Sequence, residues 1–445
     1  EIHSCDTTTV GMNATPAGDP DRESPGEHSG HDPYAALRGR DFRLMLCGNL
    51  LSMLGLQALS TAVGWEVFDR TNDVLSLSWV GLAQVLPVMG LFLPAGAMVD
   101  RANRKRTVFC AVSVMGVCAL LLGWLSSARG PLWWLYALLA LLGAGRAFAQ
   151  PARSALISEV VEPAQFANAV GWSSGVFQFT MVAGPALAGW LIYLTGSAAA
   201  VYFFAATCCA CYLALLVQIR TQPRHARGEP LSLRALGAGV AFVFANKVLL
   251  AALCLDMFAV LLGGATALLP VYAKDVLQTG ERGYGWLRAA PGLGAVVMSL
   301  WMTHRPPLTR AGRTLLISVA LFGLFTVGFG WARSFPLSFA LLLALGAADM
   351  VSVVIRNTLV QLLTPDAMRG RVSAVNGLFI NISNELGEVE SGAVAHWARR
   401  EADPAFGPTF AVVSGGLGTL LVVAAIAWLC PPLRRYGRLE TSRRR

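Results

Sequence analysis

Long apolar stretches, separated by short charged or Gly/Pro-containing turns, follow one another from about residue 42 to residue 430. A helix needs about 20 apolar residues to cross the hydrocarbon core of a bilayer. Twelve stretches reach that length, and they lie near 42–68, 76–99, 107–127, 132–153, 166–193, 198–219, 247–272, 283–303, 314–332, 335–358, 371–397 and 407–430. The pattern predicts an all-α polytopic membrane protein with 12 transmembrane helices.

The amino-acid composition supports this class. Of 445 residues, 55% are hydrophobic and only 14% are charged, which is too apolar for an ordinary soluble protein. Basic residues outnumber acidic ones, 35 against 26. In a membrane protein such an excess usually reports the orientation of the loops. We therefore expect the lipid bilayer, and no nucleic acid, as the partner of this chain.

Basic residues are distributed unequally between alternate loops. One set of loops holds Arg101, Arg104, Lys105, Arg106, Arg153, Arg220, Arg224, Arg227, Arg305, Arg310, Arg313, Arg369 and Arg371. The other set holds only Arg70, Arg129, Lys274, Arg282, Arg333, Arg399 and Arg400. Because cytoplasmic loops are enriched in Lys and Arg, both termini are expected in the cytoplasm.

The spans divide into two groups of six. We expect a disordered cytoplasmic tail over 1–40, a six-helix bundle over 41–219, a cytoplasmic linker over 220–246, a second six-helix bundle over 247–432 and a basic tail over 433–445. The linker is predicted to include an amphipathic helix at the inner membrane surface, over 233–246. Segments 155–171 and 358–377 resemble each other, which suggests a parallel repeat with a site between the halves.

The loop between the second and third spans, GAMVDRANRKR at 96–106, carries a distinctive pattern. It places a glycine, then an Asp-Arg pair, then further cations, at Gly96, Asp100, Arg101, Arg104, Lys105 and Arg106. Simple anchoring of a loop at the headgroups would require the cations but neither the glycine nor the aspartate. The loop resembles the signature of the major facilitator superfamily, except that Asn103 stands where the family usually has Gly.

The fifth span resembles a Gly-Pro pattern of that family's exporters, with Gly171, Gly184, Pro185 and Gly189 matching. Packing by small residues, with no bearing on direction, is the alternative interpretation. Overall the chain is most similar to the enterobactin-exporter-like group of bacterial permeases. That resemblance implies two six-helix bundles around a central cavity, and proton-coupled efflux of a siderophore or drug-like compound across the inner membrane. It also places Gly96 to Arg106 at the inner gate.

Several polar residues interrupt the predicted spans, where each ionisable group costs about 2.5–3.5 kcal/mol unless it finds a partner or water. The candidates for the substrate cavity are Asn49, Arg146, Gln150, Asp349, Arg356, Asn381 and Asn384, and those for proton coupling are Glu385, Glu388 and Asp256. Asn381, Asn384, Glu385 and Glu388 have the spacing i, i+3, i+4, i+7, which places them on one helix face.

Two interpretations of these charges stay open. In the first, at least one of Glu385, Glu388 and Asp256 binds a proton outside and releases it inside as the cavity alternates. In the second, the carboxylates form fixed ion pairs with Arg146, Arg356 or another helix. A gate ion pair that breaks and re-forms would satisfy both. Arg146 and Arg356 also suggest, as a hypothesis, an anionic substrate.

Other classes of function find less support in the sequence. The six histidines lie in tails, in loops or at a span end, which disfavours a membrane-embedded enzyme. A Gly-Lys-Ser/Thr phosphate loop is missing, which disfavours ATP-driven pumping. Uptake of a nutrient or lipid on the same fold remains the alternative. We expect a monomer with no cofactor and no metal, driven by the proton gradient.

Overall fold

The computed structural model describes residues 34–221, 233–305, 310–400 and 403–437. The predictions for residues 1–33, for most of the linker and for the end of the C-terminal tail lie outside this range. The described chain is built from α-helices joined by short turns. A single helical turn, Ala35–Arg38, precedes the first long helix.

Six long helices form the N-terminal half. They are α1 (Arg40–Thr71), α2 (Leu75–Arg101), α3 (Arg104–Ser127), α4 (Leu132–Val160), α5 (Phe166–Thr195) and α6 (Ala199–Gln218). Each is close to a stretch predicted from hydropathy, and the intervening turns are short.

The C-terminal half begins with a shorter helix and continues with six more helices. They are α7 (Leu233–Ala245), α8 (Lys247–Leu262), α9 (Gly280–Thr303), α10 (Ala311–Trp331), α11 (Phe335–Leu363), α12 (Asp366–Trp397) and α13 (Phe406–Leu429). The predicted seventh span is interrupted after α8. A 3-10 turn (Ala265–Leu268), a short α-helix (Leu269–Val271) and a π-helical turn (Tyr272–Val276) complete it.

The break after α8 coincides with a close approach of two backbones. A methyl group at Gly264 would lie 2.5 Å from the carbonyl oxygen of Gly387 in α12. A side chain at this position would force the two helices apart, so the glycine permits the bend and the contact together.

Nine helical segments in the described ranges are long and apolar enough to cross a membrane. The other long helices, α2, α9 and α12, have 27, 24 and 32 residues, which is also enough to cross. They are three of the four helices that form the main contact between the two halves. The charged residues inside α9 and α12 are therefore explained by their position, because these helices face the other half.

The two halves repeat one packing pattern. In the first half α1 packs on α5 and α6, α2 on α4, and α3 on α4 and α6. In the second half α8 packs on α12 and α13, α9 on α11, and α10 on α11 and α13. Helices at the same position in each half therefore have the same neighbours, as a parallel repeat requires.

A helix forms over Leu233–Ala245, where the sequence predicted one, and it packs on other parts of the chain. Its Val243 is buried in a cluster with Leu249, Val372 and Val375. A methyl group at Gly239 would lie 2.9 Å from the Arg371 carbonyl oxygen. The helix is therefore packed against the start of α12.

The ends of the molecule differ in charge. The end of the molecule that holds the turn between α2 and α3, the start of α12 and both ends of the described chain is called the "basic end". The start of the chain contacts α5 there, since Ala36 donates its N–H to Asn168. The last described residue, Gly437, accepts from the Ala311 N–H. We call the other end the "opposite end".

Candidate functional site

The two halves meet mainly through two helix pairs, α5 with α9 and α2 with α12. Glycines bring the first pair into backbone contact. A methyl group at Gly189 would lie 2.8 Å from the Gly285 Cα, and one at Gly285 would lie 2.7 Å from the Pro185 carbonyl oxygen. Close contact of this kind requires small residues on both helices.

The exporter-like motif of the fifth span therefore divides between two helices. Gly189 and Pro185 face α9, whereas a methyl group at Gly184 would lie 2.5 Å from the Gln57 Cβ in α1. Gly171 has no neighbour within 4 Å of such a methyl group. The sequence did not single out Gly285, because a partner glycine on a distant helix carries no local pattern.

Four charged side chains of α4, α9 and α12 interact electrostatically with one another. They are Arg146 of α4, Arg288 of α9, and Glu385 and Glu388 of α12, and each is partly exposed. Both guanidinium groups attract both carboxylates electrostatically. We call this group the "four-charge site". It joins a cation of the N-terminal half to charges of the C-terminal half.

The two arginines are held by uncharged groups. Arg146 Nη1 donates to Gln84 Oε1 over 2.9 Å. Arg288 Nη1 donates to the Thr266 carbonyl oxygen over 3.5 Å. Within the described ranges, neither glutamate lies within 4.0 Å of a guanidinium nitrogen. The carboxylates are thus near their counter-charges without a fixed ion pair.

The backbone of α2 lies directly beside Glu388. A methyl group at Gly81 would lie 3.4 Å from the Glu388 Cβ and 3.6 Å from its Oε2. Glycine here lets α2 of one half approach the glutamate of the other. Relative movement of the halves must therefore change the surroundings of Glu388.

The other residues predicted on the α12 stripe are only partly defined. The exposed Asn384 donates its side-chain N–H to the Ile380 carbonyl oxygen over 2.8 Å. The Asn381 side chain is outside the described part of the structure.

Two further cavity candidates lie on helices of the N-terminal half. Gln150 of α4 is exposed, whereas Asn49 of α1 is only 6% exposed. Of these, Gln150 and Asn384 have the exposure that a cavity residue needs.

Asp256 and Arg356 occupy a different place from the one expected for cavity residues. They form an ion pair between α8 and α11, inside the C-terminal half, and both side chains are buried. Asp349 lies two helical turns before Arg356, beside a small cavity that Asp256 also lines. The physical reason is that Asp256 and Arg356 neutralise each other between neighbouring helices of a single half. Arg356 is therefore not placed to attract a substrate between the halves.

Sequence analysis also missed residues of the four-charge site. Arg288 lies inside the apolar eighth span, which is by itself a signal for function. It is the one charged residue in the sequence of the predicted span 283–303, so the search for stripes of polar residues within a span passed over it. Gln84 of α2 is buried and binds Arg146. Glutamine in a span is a weaker signal, and only the fold reveals its partner.

The signature loop at the basic end binds helix ends within its own half. Arg104 Nη1 lies 3.3 Å from Glu159 Oε1 at the end of α4, and Lys105 Nζ donates to the Ile219 carbonyl oxygen over 2.6 Å. Asn103 accepts from the Arg106 N–H and so caps α3. Asparagine is thus suited to this position where the family usually has Gly. Gly96 is buried and Arg106 is exposed. The side chains of Asp100 and Arg101 are outside the described part.

Polar contacts connect the halves at the opposite end. Lys274 Nζ lies 2.7 Å from Asp69 Oδ1 and donates to Asn72 Oδ1 over 3.0 Å. His396 Nδ1 lies 3.2 Å from Asp73 Oδ1. Ser78 of α2 donates to the Val389 carbonyl oxygen of α12 over 3.1 Å. These contacts close that end of the junction between the halves.

Towards the basic end the same helices have open space beside them. Methyl groups at Gly90, Gly175, Gly370 or Gly377 would meet no atom within 4 Å. Leu86 of α2 is 59% exposed. The polar contacts between the halves named above thus lie at the opposite end, and open space lies beside α2, α5 and α12 towards the basic end.

Comparison with known proteins agrees with this architecture. The multidrug efflux pump Tap of Mycolicibacterium fortuitum is 26% identical over 415 residues, covering 88% of this chain and 96% of that protein. The enterobactin exporter EntS of Shigella flexneri is 26% identical over 411 residues, covering 89% and 93%. A solved bacterial homologue of the human lysosomal transporter Spinster, in an inward-facing and occupied conformation, superimposes with a TM-score of 0.71 at 15% identity. That superposition covers 92% of this chain and all of that one.

The sequence profile of the Major Facilitator Superfamily matches residues 45–387, which is most of the chain. The loop at 96–106, the repeated six-helix halves and the relatives all agree with that match. The chain therefore belongs to the Major Facilitator Superfamily, and it is a membrane-embedded transporter rather than an enzyme.

Proposed function

We propose that the protein is a proton-coupled exporter of small organic molecules that works by alternating access. Its basic end and both termini face the cytoplasm of a bacterial cell, and its opposite end faces outward. The excess of Lys and Arg in the loops of the basic end supports this orientation. The protein acts as a monomer, with the proton gradient as its driving force and no cofactor.

One observation carries the proposal: the four-charge site spans the junction between the halves. Glu385 and Glu388 belong to α12, whereas Arg146 belongs to α4 of the other half. When one half rocks against the other, the distance between Arg146 and the glutamates changes. A carboxylate that moves away from the guanidinium gains the freedom to take up a proton.

Coupling by exchange requires that protons and substrate compete for the same site. The two arginines and two ionised glutamates have formal charges that cancel. A substrate carrying a positive or strongly polar group would interact with the carboxylates once they have released their protons. Reprotonation from outside would then displace it. Binding of both at once would give cotransport instead of export.

The class of substrate follows from the relatives and from the position of the charges. One relative is a multidrug efflux pump and another is an enterobactin exporter. We infer a siderophore or a drug-like compound that enters from the basic end. With Arg356 buried in an ion pair, Arg146 and Arg288 are the cations left to contact an anionic group.

The direction of transport can be tested in everted membrane vesicles, in which the cytoplasmic face points outward. With an acidic interior, we expect siderophores or amphiphilic dyes added outside to accumulate, and nigericin to abolish that accumulation. Vesicles lacking the protein give the background. Accumulation only with an acidic exterior would overturn export and support uptake by the same fold.

A further inference from the structure

A second group of charges lies inside the C-terminal half, away from the four-charge site. Asp256 of α8 and Arg356 of α11 form the buried ion pair already described, and Asp349 precedes Arg356 by two turns of α11. Ser352 lies between them on the same helix. The four residues belong to two neighbouring helices of a single half.

A small cavity lies between these side chains. Its volume is about 10 Å³, and it is lined by Asp256, Asp349 and Ser352 together with apolar side chains of α8 and α10. This is about the volume that one water molecule or one small cation requires. Three of the seven lining residues, Asp256, Asp349 and Ser352, carry oxygen atoms that can bind a cation, and the other four are apolar.

Ser352 provides an independent indication of a ligand. Its side chain is only 2% exposed, and its hydroxyl oxygen has no hydrogen-bond partner in the described ranges. A buried hydroxyl group without a partner costs about 1–3 kcal/mol. An occupant of the cavity that accepts a hydrogen bond from the hydroxyl group, or that is coordinated by its oxygen, would remove this cost.

The charges of the cluster do not balance. Two aspartates face one arginine, so one negative charge remains when both aspartates are ionised. The helices α8, α10, α11 and α13 otherwise carry only Lys247 and Arg313 as charged residues, and both lie near the basic end. A buried charge requires a counter-charge close by. One monovalent cation would supply it.

We propose that this cluster binds a sodium ion between Asp256, Asp349 and Ser352. Carboxylate and hydroxyl oxygens are suitable ligands for a hard cation. One monovalent cation and the Arg356 guanidinium group together balance the two aspartates, whereas a divalent ion would leave one positive charge in excess. The cavity also adjoins the junction, because a methyl group at Gly387, between Glu385 and Glu388, would lie 2.8 Å from the Val260 carbonyl oxygen. Sodium here would stiffen α8 behind the four-charge site.

The test uses the purified full-length protein in detergent. Its thermal unfolding is followed in NaCl, KCl and choline chloride at constant ionic strength and pH, and bound ²²Na⁺ is counted by equilibrium dialysis. Because a ligand that binds only the folded state stabilises it, we expect a saturable rise of a few degrees with sodium alone. We also expect one sodium ion bound per chain.

Two variants make the result specific. Asp349→Asn should abolish the sodium effect, and Ser352→Ala should weaken sodium binding roughly tenfold, about 1.4 kcal/mol. Glu390→Gln is the matched control, because this carboxylate of α12 lies outside the cavity and should leave the sodium effect unchanged. Equal unfolding in all three salts, or an undiminished sodium effect in Asp349→Asn, would overturn the proposal. So would stabilisation by acid alone, which would indicate a proton in place of sodium.

This inference stands apart from the proposed export. Glu388→Gln should lose proton coupling and still bind sodium. A failed transport experiment would therefore leave the sodium site standing, and the absence of sodium binding would leave the four-charge site standing.

Discussion

The two charge clusters of this protein differ in where they lie relative to the junction between the halves. The four-charge site places Arg146 of one half against Glu385 and Glu388 of the other. Asp256 and Arg356 pair within a single half and are almost fully buried. In the proposed mechanism only the first cluster changes its geometry when the halves rock, so we expect proton coupling at the junction and not inside one half.

Exposure separates the clusters in the same way. The side chains of the four-charge site are partly exposed and lack a direct ion pair, within the described ranges of the chain. Asp256 and Arg356 are 7% and 2% exposed. Loss of a charge should therefore act mainly on stability in the second cluster and mainly on transport in the first.

The largest effect on stability is expected from Asp256→Asn. The substitution leaves the Arg356 guanidinium buried beside a neutral group, and breaking a buried pair in this way costs about 3–5 kcal/mol. Thermal unfolding in detergent measures it. The double variant Asp256→Asn with Arg356→Met should recover part of the loss, since it removes the buried guanidinium group that has lost its direct partner. If the single variant is as stable as wild type, the pair does not hold α8 to α11.

Gly189→Ala should have the next largest effect on the free energy of unfolding. The added methyl group would lie 2.6 Å from the Glu281 carbonyl oxygen and 2.8 Å from the Gly285 Cα, so α5 and α9 must separate. Overpacking of this kind costs about 1–3 kcal/mol. Gly171→Ala is the control, because its methyl group meets nothing within 4 Å. Equal unfolding temperatures for the two variants would show that the glycine contact is unimportant.

Arg146→Gln tests whether loss of a charge in the four-charge site affects transport more than stability. Arg146 is partly exposed and bound to a neutral glutamine, so the loss in unfolding free energy should be about 1 kcal/mol, below that of Asp256→Asn. Gradient-driven transport should fall more than stability does, because the cation of the other half is gone. Transport rates and unfolding temperatures measured on the same preparation check this. Unchanged transport would remove Arg146 from the coupling site.

The smallest effect on stability is expected from Lys274→Ala at the opposite end. Its pair with Asp69 is exposed, and such pairs contribute about 0–1 kcal/mol. The contact nevertheless crosses the junction. Thr61 of α1 is fully buried and its carbonyl oxygen accepts from the Tyr284 hydroxyl group of α9, in the other half. Loss of the Lys274 contact should therefore increase the labelling of a cysteine placed at Thr61 by a membrane-impermeant reagent. Lys105→Ala is the comparison, because that lysine donates to the Val217 and Ile219 carbonyl oxygens of its own half. Equal labelling in the two variants would argue against a closing role for Lys274.

The sequence predicted the class, the succession of spans and the family loop because hydropathy and local spacing determine them. It also placed Asn384, Glu385 and Glu388 on one face of a helix. It could not identify Arg288 and Gln84 as their surroundings, since these come from α9 and α2. Nor could it separate Asp256 and Arg356 from the cavity candidates, because an ion pair between distant segments leaves no local pattern. The break after Leu262 coincides with Gly263 and Gly264, a pair that the search for long apolar stretches did not use.

The proton-coupling role of Glu385 and Glu388 is tested most directly by comparing two kinds of transport in the same proteoliposomes. Counterflow of a labelled substrate requires binding and alternation only, whereas accumulation against a gradient also requires proton exchange. We predict that Glu385→Gln or Glu388→Gln retains counterflow and loses accumulation driven by a proton gradient, while Glu390→Gln retains both. Full gradient-driven accumulation in both Glu385→Gln and Glu388→Gln would contradict the proposed coupling site.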